Sequence, residues 1–151
     1  MSDFGVTSWN YHERLERGSG VVTKWIDSSH MSVKTQANLE RTLDQLRQQP
    51  QTNWSRPHAS SLGHHTYVIR FKDVTGMQLR IFGHFYLPHP SFVMTCHGYE
   101  KGSVYFPSNY KDLAKEYKLT CDSSFSSETI MYRESCEICR GKTCSPGPSS
   151  S

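Results

Sequence analysis

Tyr67-Val68-Ile69-Arg70-Phe71, Leu79-Arg80-Ile81-Phe82-Gly83-His84-Phe85-Tyr86 and Phe92-Val93-Met94-Thr95-Cys96-His97 are three runs rich in β-branched and aromatic residues, the composition of strands. Asp73-Val74-Thr75-Gly76 separates the first pair and Pro88-His89-Pro90-Ser91 the second. Connections this short predict an antiparallel meander in which alternate residues share a face. Arg70 is then expected beside Arg80, with His97 on the adjoining strand. By the same alternation His84, Phe82 and Tyr86 share the face of Arg80, and the alternation does not say which face a helix covers.

On the N-terminal side, Ser32 is placed to cap a helix that turns Ala37, Leu39, Leu43 and Leu46 toward a core. Pro50 stops it, and Trp54-Ser55-Arg56-Pro57 leads extended chain into the meander. Val21 to Ile26 reads as a short first strand. Residues 1–20 end in Arg17-Gly18-Ser19-Gly20 without sustained periodicity and read as a flexible arm. On the C-terminal side, Pro107-Ser108-Asn109 opens a short helix with Tyr110, Leu113, Ala114 and Tyr117 on one face. Residues 119–151 turn to Ser, Cys, Gly and Pro and read as a disordered tail. The expected fold is α+β: a folded domain over 21–118, with a small antiparallel sheet packed by N-terminal helix or helices and a short C-terminal helix.

The formal net charge is only +3, yet its distribution is uneven. Residues 54–118 hold eight Lys and Arg against four Asp and Glu, and six of the eight histidines (His58, His64, His65, His84, His89, His97) lie there too. A basic sheet points to a polyanion such as nucleic acid, whereas a solvated basic face is the plainer alternative. No apolar run reaches the roughly 20 residues that span a bilayer, and the N-terminus lacks the pattern of a secretory signal. A soluble, cytoplasmic protein without membrane contact is expected.

Five cysteines in such a chain argue against a disulfide scaffold. Cys136-Glu137-Ile138-Cys139 is a CxxC pair, and Cys121 and Cys144 complete four thiolates for a possible zinc site. A zinc ribbon normally shows two such knuckles, and one is present, so no metal or cofactor is expected. Cys96 reads as a small core residue.

Cleaving RNA with side chains alone needs a base for the 2′-OH, cations for the phosphate and an acid for the leaving oxygen. Arg80 and Arg70 are candidate bidentate phosphate donors. Lys101 adds charge, and His97 titrates nearest to working pH and is the default base or acid. Tyr105 can donate a hydrogen bond or stack on a base. Arg56 and His84 join Arg70 as candidate RNA contacts. Each also has a plain structural reading: covering a sheet, capping a strand, or filling a core.

ArgPro at 56 and 57, LeuGly at 62 and 63, TyrValIleArg at 67–70, LeuArgIlePhe at 79–82, HisGlyTyrGluLys at 97–101 and Pro107 before a helix together resemble the phage-derived, HigB-type branch of the RelE/ParE toxin superfamily. The resemblance covers about residues 21–118 and implies a RelE-like fold and the toxin half of a type II toxin-antitoxin system. It implies a metal-independent, ribosome-dependent mRNA endoribonuclease, with messenger RNA, the ribosome and an antitoxin of helix-turn-helix type as partners. By position, Arg80 matches the family's strand arginine, Lys101 and Tyr105 fall near its basic and tyrosine positions, and His97 and Arg70 match residues typical of this branch. Where the family usually has two basic residues, this chain has Glu100 and Lys101. Two alternatives stand beside this reading. One is a member that binds a protein such as gyrase, or an inactive phage-derived copy; the other is a zinc-binding nucleic-acid module built on the C-terminal cysteines.

Overall fold

The structure, a computed structural model, describes residues 9–132. The meander is present as β4 (Thr66–Lys72), β5 (Gln78–Tyr86) and β6 (Ser91–Lys101), flanked by β3 (Ala59–Gly63) and β7 (Val104–Phe106). Asp73 holds the β4–β5 turn: its Oδ1 accepts hydrogen bonds from the backbone N–H of Thr75 and Met77 and from the Thr75 hydroxyl, with Gly76 at φ +90°. Arg70 pairs with Arg80 across β4 and β5, as the alternation requires.

The sheet is larger than expected, and it is mixed. Residues 10–16 do not form an arm: they are β1 (Asn10–Glu16), which runs parallel to β6 and also pairs with β2 (Ser19–Gly20) and β8 (Thr129–Met131). Among the described residues eight strands result, six of them in the order β2-β1-β6-β5-β4-β3, with β7 on β6 and β8 on β1. The expectation of a small antiparallel sheet is therefore wrong. The cause is legible in β1 itself: Asn10, Tyr11, His12 and Glu13 are all buried, because the strand is covered on both faces. Its polar residues break the alternation by which strands are found.

Val21 to Ile26 is not a strand but the start of α1 (Val21–Ser28), with Val21, Val22 and Ile26 buried at helical spacing. The buried Glu13 carboxylate caps it, accepting from the N–H of Val22 and Thr23 and from the Thr23 hydroxyl. This satisfies orphan donors of the helix start and places negative charge at the positive end of its dipole. A side chain at Gly20 would run into that carboxylate. Helix α2 (Val33–Arg47) begins at Ser32, whose hydroxyl accepts from Thr35 N–H, and it buries Leu39, Leu43 and Leu46; Ala37 faces solvent.

Both faces of the sheet are covered. One packs under α1 and α2 with Trp9, Tyr11, Ile69, Ile81, Phe85, Phe92 and Met94 in the main core. The other carries α3 (Tyr110–Ser123) and α4 (Phe125–Glu128), which pack Cys121 and Phe125 on Tyr86 and Val93. Residues 119–132, expected to begin a disordered tail, thus complete α3 and supply α4 and β8. Residues 133–151 lie outside the described residues. Among the described residues, no helix is long and apolar enough to cross a membrane.

Candidate nucleic-acid interface

On the face of the sheet that carries α3, five charged or polar side chains meet. Arg80 donates from Nε and Nη2 to Glu100 Oε1 at 3.0 and 2.7 Å, from Nη2 to Gln78 Oε1, and from Nη1 to the Leu79 carbonyl at 2.8 Å. Arg70 Nη1 donates to the Tyr105 hydroxyl at 2.8 Å and lies 3.4 Å from Glu100 Oε1. Register brings them together: Arg80 faces Arg70 on β4, Gln78 faces Glu100 on β6, and Glu100 faces Tyr105 on β7.

Arg80 is only 2 % exposed. Burial lowers its pKa, an effect opposed by its hydrogen bond to Glu100. Burial also raises the Glu100 pKa, but the Arg80 hydrogen bond and the charges of Arg80, Arg70 and Arg56 outweigh it, so the carboxyl stays below its ordinary value. Arg80 was expected to be a free phosphate donor. It is instead a buried positioning group for Glu100, with every guanidinium nitrogen engaged inside the protein.

Basic side chains line a neighbouring groove of about 490 Å³ between α2 and the exposed end of β4. Arg41 comes from α2, Arg56 and His58 from the segment entering β3, and Arg70 and Lys72 from β4, with Arg80 at the back. That segment is held in place by the Arg70 N–H, which donates to the His58 carbonyl at 2.8 Å. Asn38 Nδ2 donates to the Lys72 carbonyl and ties β4 to α2. Among the described residues no carboxylate lines the groove, and Glu100 stands behind it. No local pattern in the sequence marks Arg41, His58 and Lys72 as groove residues. Only a tertiary contact brings a helix arginine to the β4 edge.

The remaining candidates lie elsewhere. His97 is on the opposite face, opposite Ile81, with its ring stacked on Trp25 at 4.5 Å between centroids. Desolvation lowers its pKa against the pull of Glu16. It does not join Arg80 and Tyr105, because β6 alternates: Gly98 and Glu100 take the Arg80 side, His97 and Tyr99 the other. Lys101 is exposed at the end of β6. His84 is fully buried, its Nε2 3.3 Å from Asp122 Oδ1, and Lys118 Nζ donates to the other oxygen at 2.6 Å. Burial keeps His84 below its ordinary pKa despite Asp122, and the covering helix removes it from any nucleic-acid surface.

Cys96 is partly buried. Cys121 sits in the α3–α4 core, where burial pushes its thiol up to about 12, which disfavours the thiolate a metal requires. Among the described residues no three His, Cys, Asp or Glu side chains gather as metal ligands. Cys136, Cys139 and Cys144 lie outside the described residues. No protein-family model, curated protein or solved structure matches the chain.

Proposed function

We propose that the protein binds single-stranded RNA along the groove between α2 and β4 and acts on it as a toxin of the RelE/HigB-like kind, an mRNA endoribonuclease with an antitoxin as its partner. The observation that carries this reading is the convergence of Arg41, Arg56, His58, Arg70 and Lys72 on one groove with no carboxylate in its walls among the described residues. Such a groove tracks a phosphate backbone, and each phosphate neutralised releases counterions. Cleavage at its inner wall runs through Arg70, which lines the groove, and the two groups Arg70 meets behind it. Arg70 holds the phosphate, the Tyr105 hydroxyl it bonds is the proton donor to the leaving oxygen, and the ionised Glu100 is the acceptor for the 2′-OH proton.

The test combines binding and cleavage. Arg56→Ala and Lys72→Ala, both at exposed positions, are expected to weaken binding of a single-stranded RNA and to flatten log affinity against log salt by roughly 0.7 per lost phosphate contact. Tyr105→Phe is expected to abolish cleavage at unchanged affinity. Absence of any salt-dependent RNA binding by the intact protein refutes the reading.

One observation favours a second reading. Arg80, the strand arginine on which the resemblance rests, is consumed by Glu100, which favours a protein that binds RNA or a protein target without cutting. RNA binding without new transcript 5′ ends on induced expression is the outcome that selects it.

A further inference from the structure

On the opposite face of the sheet, a cleft of about 720 Å³ is lined by aromatic and apolar side chains: Trp25 of α1, His97 and Tyr99 of β6, Phe106 of β7, and Met31 and Met77 nearby. Because His97 and Tyr99 alternate on the same side of β6, their rings form a row. Each is backed by a second ring in nearly parallel stacking: Trp25 behind His97 at 4.5 Å and 3°, Phe106 behind Tyr99 at 5.0 Å and 14°. Both outer rings are open to solvent, Tyr99 being 41 % exposed. The acidic group of the cleft, Asp73, is occupied by the turn it caps.

We infer that this cleft takes unpaired nucleobases, stacked on His97 and Tyr99, of the same strand whose phosphates occupy the basic groove. The inference rests on the RNA reading above and adds a base-binding subsite to it. Two features favour a base over an apolar peptide. The rings are prestacked and flat, so that a further planar group extends each pair, and every base has a π-face to offer. The cleft also adjoins the phosphate groove. Lys72 lines the groove and Asp73 the cleft, and Asn38 and Thr35, one helical turn apart on α2, do likewise.

Tryptophan emission reports the event through the His97 ring stacked on Trp25. Trp9 and Trp54 are buried at 1 % and 3 % exposure, which leaves Trp25 as the half-buried one of the three. A short oligoadenylate is expected to quench Trp25 emission, whereas an abasic sugar-phosphate oligomer of equal length binds through the groove without quenching. Trp25→Phe is expected to abolish the quench. Tyr99→Ala and His97→Ala are each expected to weaken oligoadenylate binding about tenfold and leave abasic binding unchanged. His97→Phe, which keeps a ring, is expected to restore affinity even if the alanine variant unfolds. Equal affinity for both oligomers with no quenching overturns the base subsite and leaves the groove standing. Binding of neither overturns both. Quenching by an apolar helical peptide but by neither oligomer assigns the cleft to a protein partner and overturns the inference.

Discussion

Glu100 decides what Arg80 is. A strand arginine beside a second arginine has the makings of a phosphate clamp, but the carboxylate at 2.7 Å closes the pair, and burial at 2 % exposure keeps it closed. Removing one partner of such a pair strands the other charge. Arg80→Ala is therefore expected to destabilise the protein by about 3–5 kcal/mol in urea unfolding. Joint replacement, Arg80→Met with Glu100→Gln, is expected to recover most of that loss; a soluble Arg80→Ala variant of full stability contradicts the assignment. Gly98 is a second residue whose role comes from its neighbour. A Cβ there would strike the Phe106 carbonyl of the paired strand β7. Gly98→Ala is expected to displace β7 and lower the melting temperature, while abolishing the Arg70–Tyr105 contact that depends on β7. The Arg70–Arg80 juxtaposition was legible in the sequence because strand alternation is local. The partners of Arg80 were not, since a carboxylate that opposes a site in sequence can neutralise it in space.

At the level of elements, β1, α1 and the α4–β8 segment are the parts that composition misreads, and their stability depends on contacts made at long range. Glu13→Ala is expected to cost about 2 kcal/mol, because it leaves the Val22 and Thr23 N–H groups without their acceptor; equilibrium unfolding checks it. Truncation after Thr120 is expected to abolish cooperative folding, since it removes Cys121, Phe125 and Tyr132, each at most 5 % exposed, and uncovers β1. A native circular dichroism spectrum for that truncated chain contradicts the layered core. The same layer sets a pH dependence. His12, buried between His89 and Phe125, has its pKa lowered from 6.5 to about 4 by desolvation and then by the nearby His89. The unfolded chain takes up this proton first as pH falls. Stability present above pH 6.5 is thus lost progressively down to pH 4, by about 3 kcal/mol. His12→Leu is expected to flatten stability over that window by the corresponding amount.

For the whole molecule, a net charge of +3 says little, and the separation of charge and aromaticity into two adjoining clefts says more. The basic groove and the ring-lined cleft flank the β4–β5 turn, so a strand crossing that turn meets cations on one side and stacking rings on the other. By itself the sequence determined the meander, its register at Arg70 and Arg80, the capped helix from Ser32 with its Leu39, Leu43 and Leu46 face, and the concentration of basic residues in the middle of the chain. Those features rest on local chemistry: turn residues, caps and short periodicities act between near neighbours. The tertiary structure alone decided that residues 10–16 enter the sheet beside β6, that Val21 to Ile26 coils rather than extends, and that both sheet faces are covered. It alone decided that Arg80 is buried while Arg41 and Lys72 remain open, and that His97 is turned from Tyr105 to Trp25. Burial and pairing between residues tens of positions apart set these outcomes, and a buried polar strand such as Asn10–Glu16 carries no alternation from which to read them.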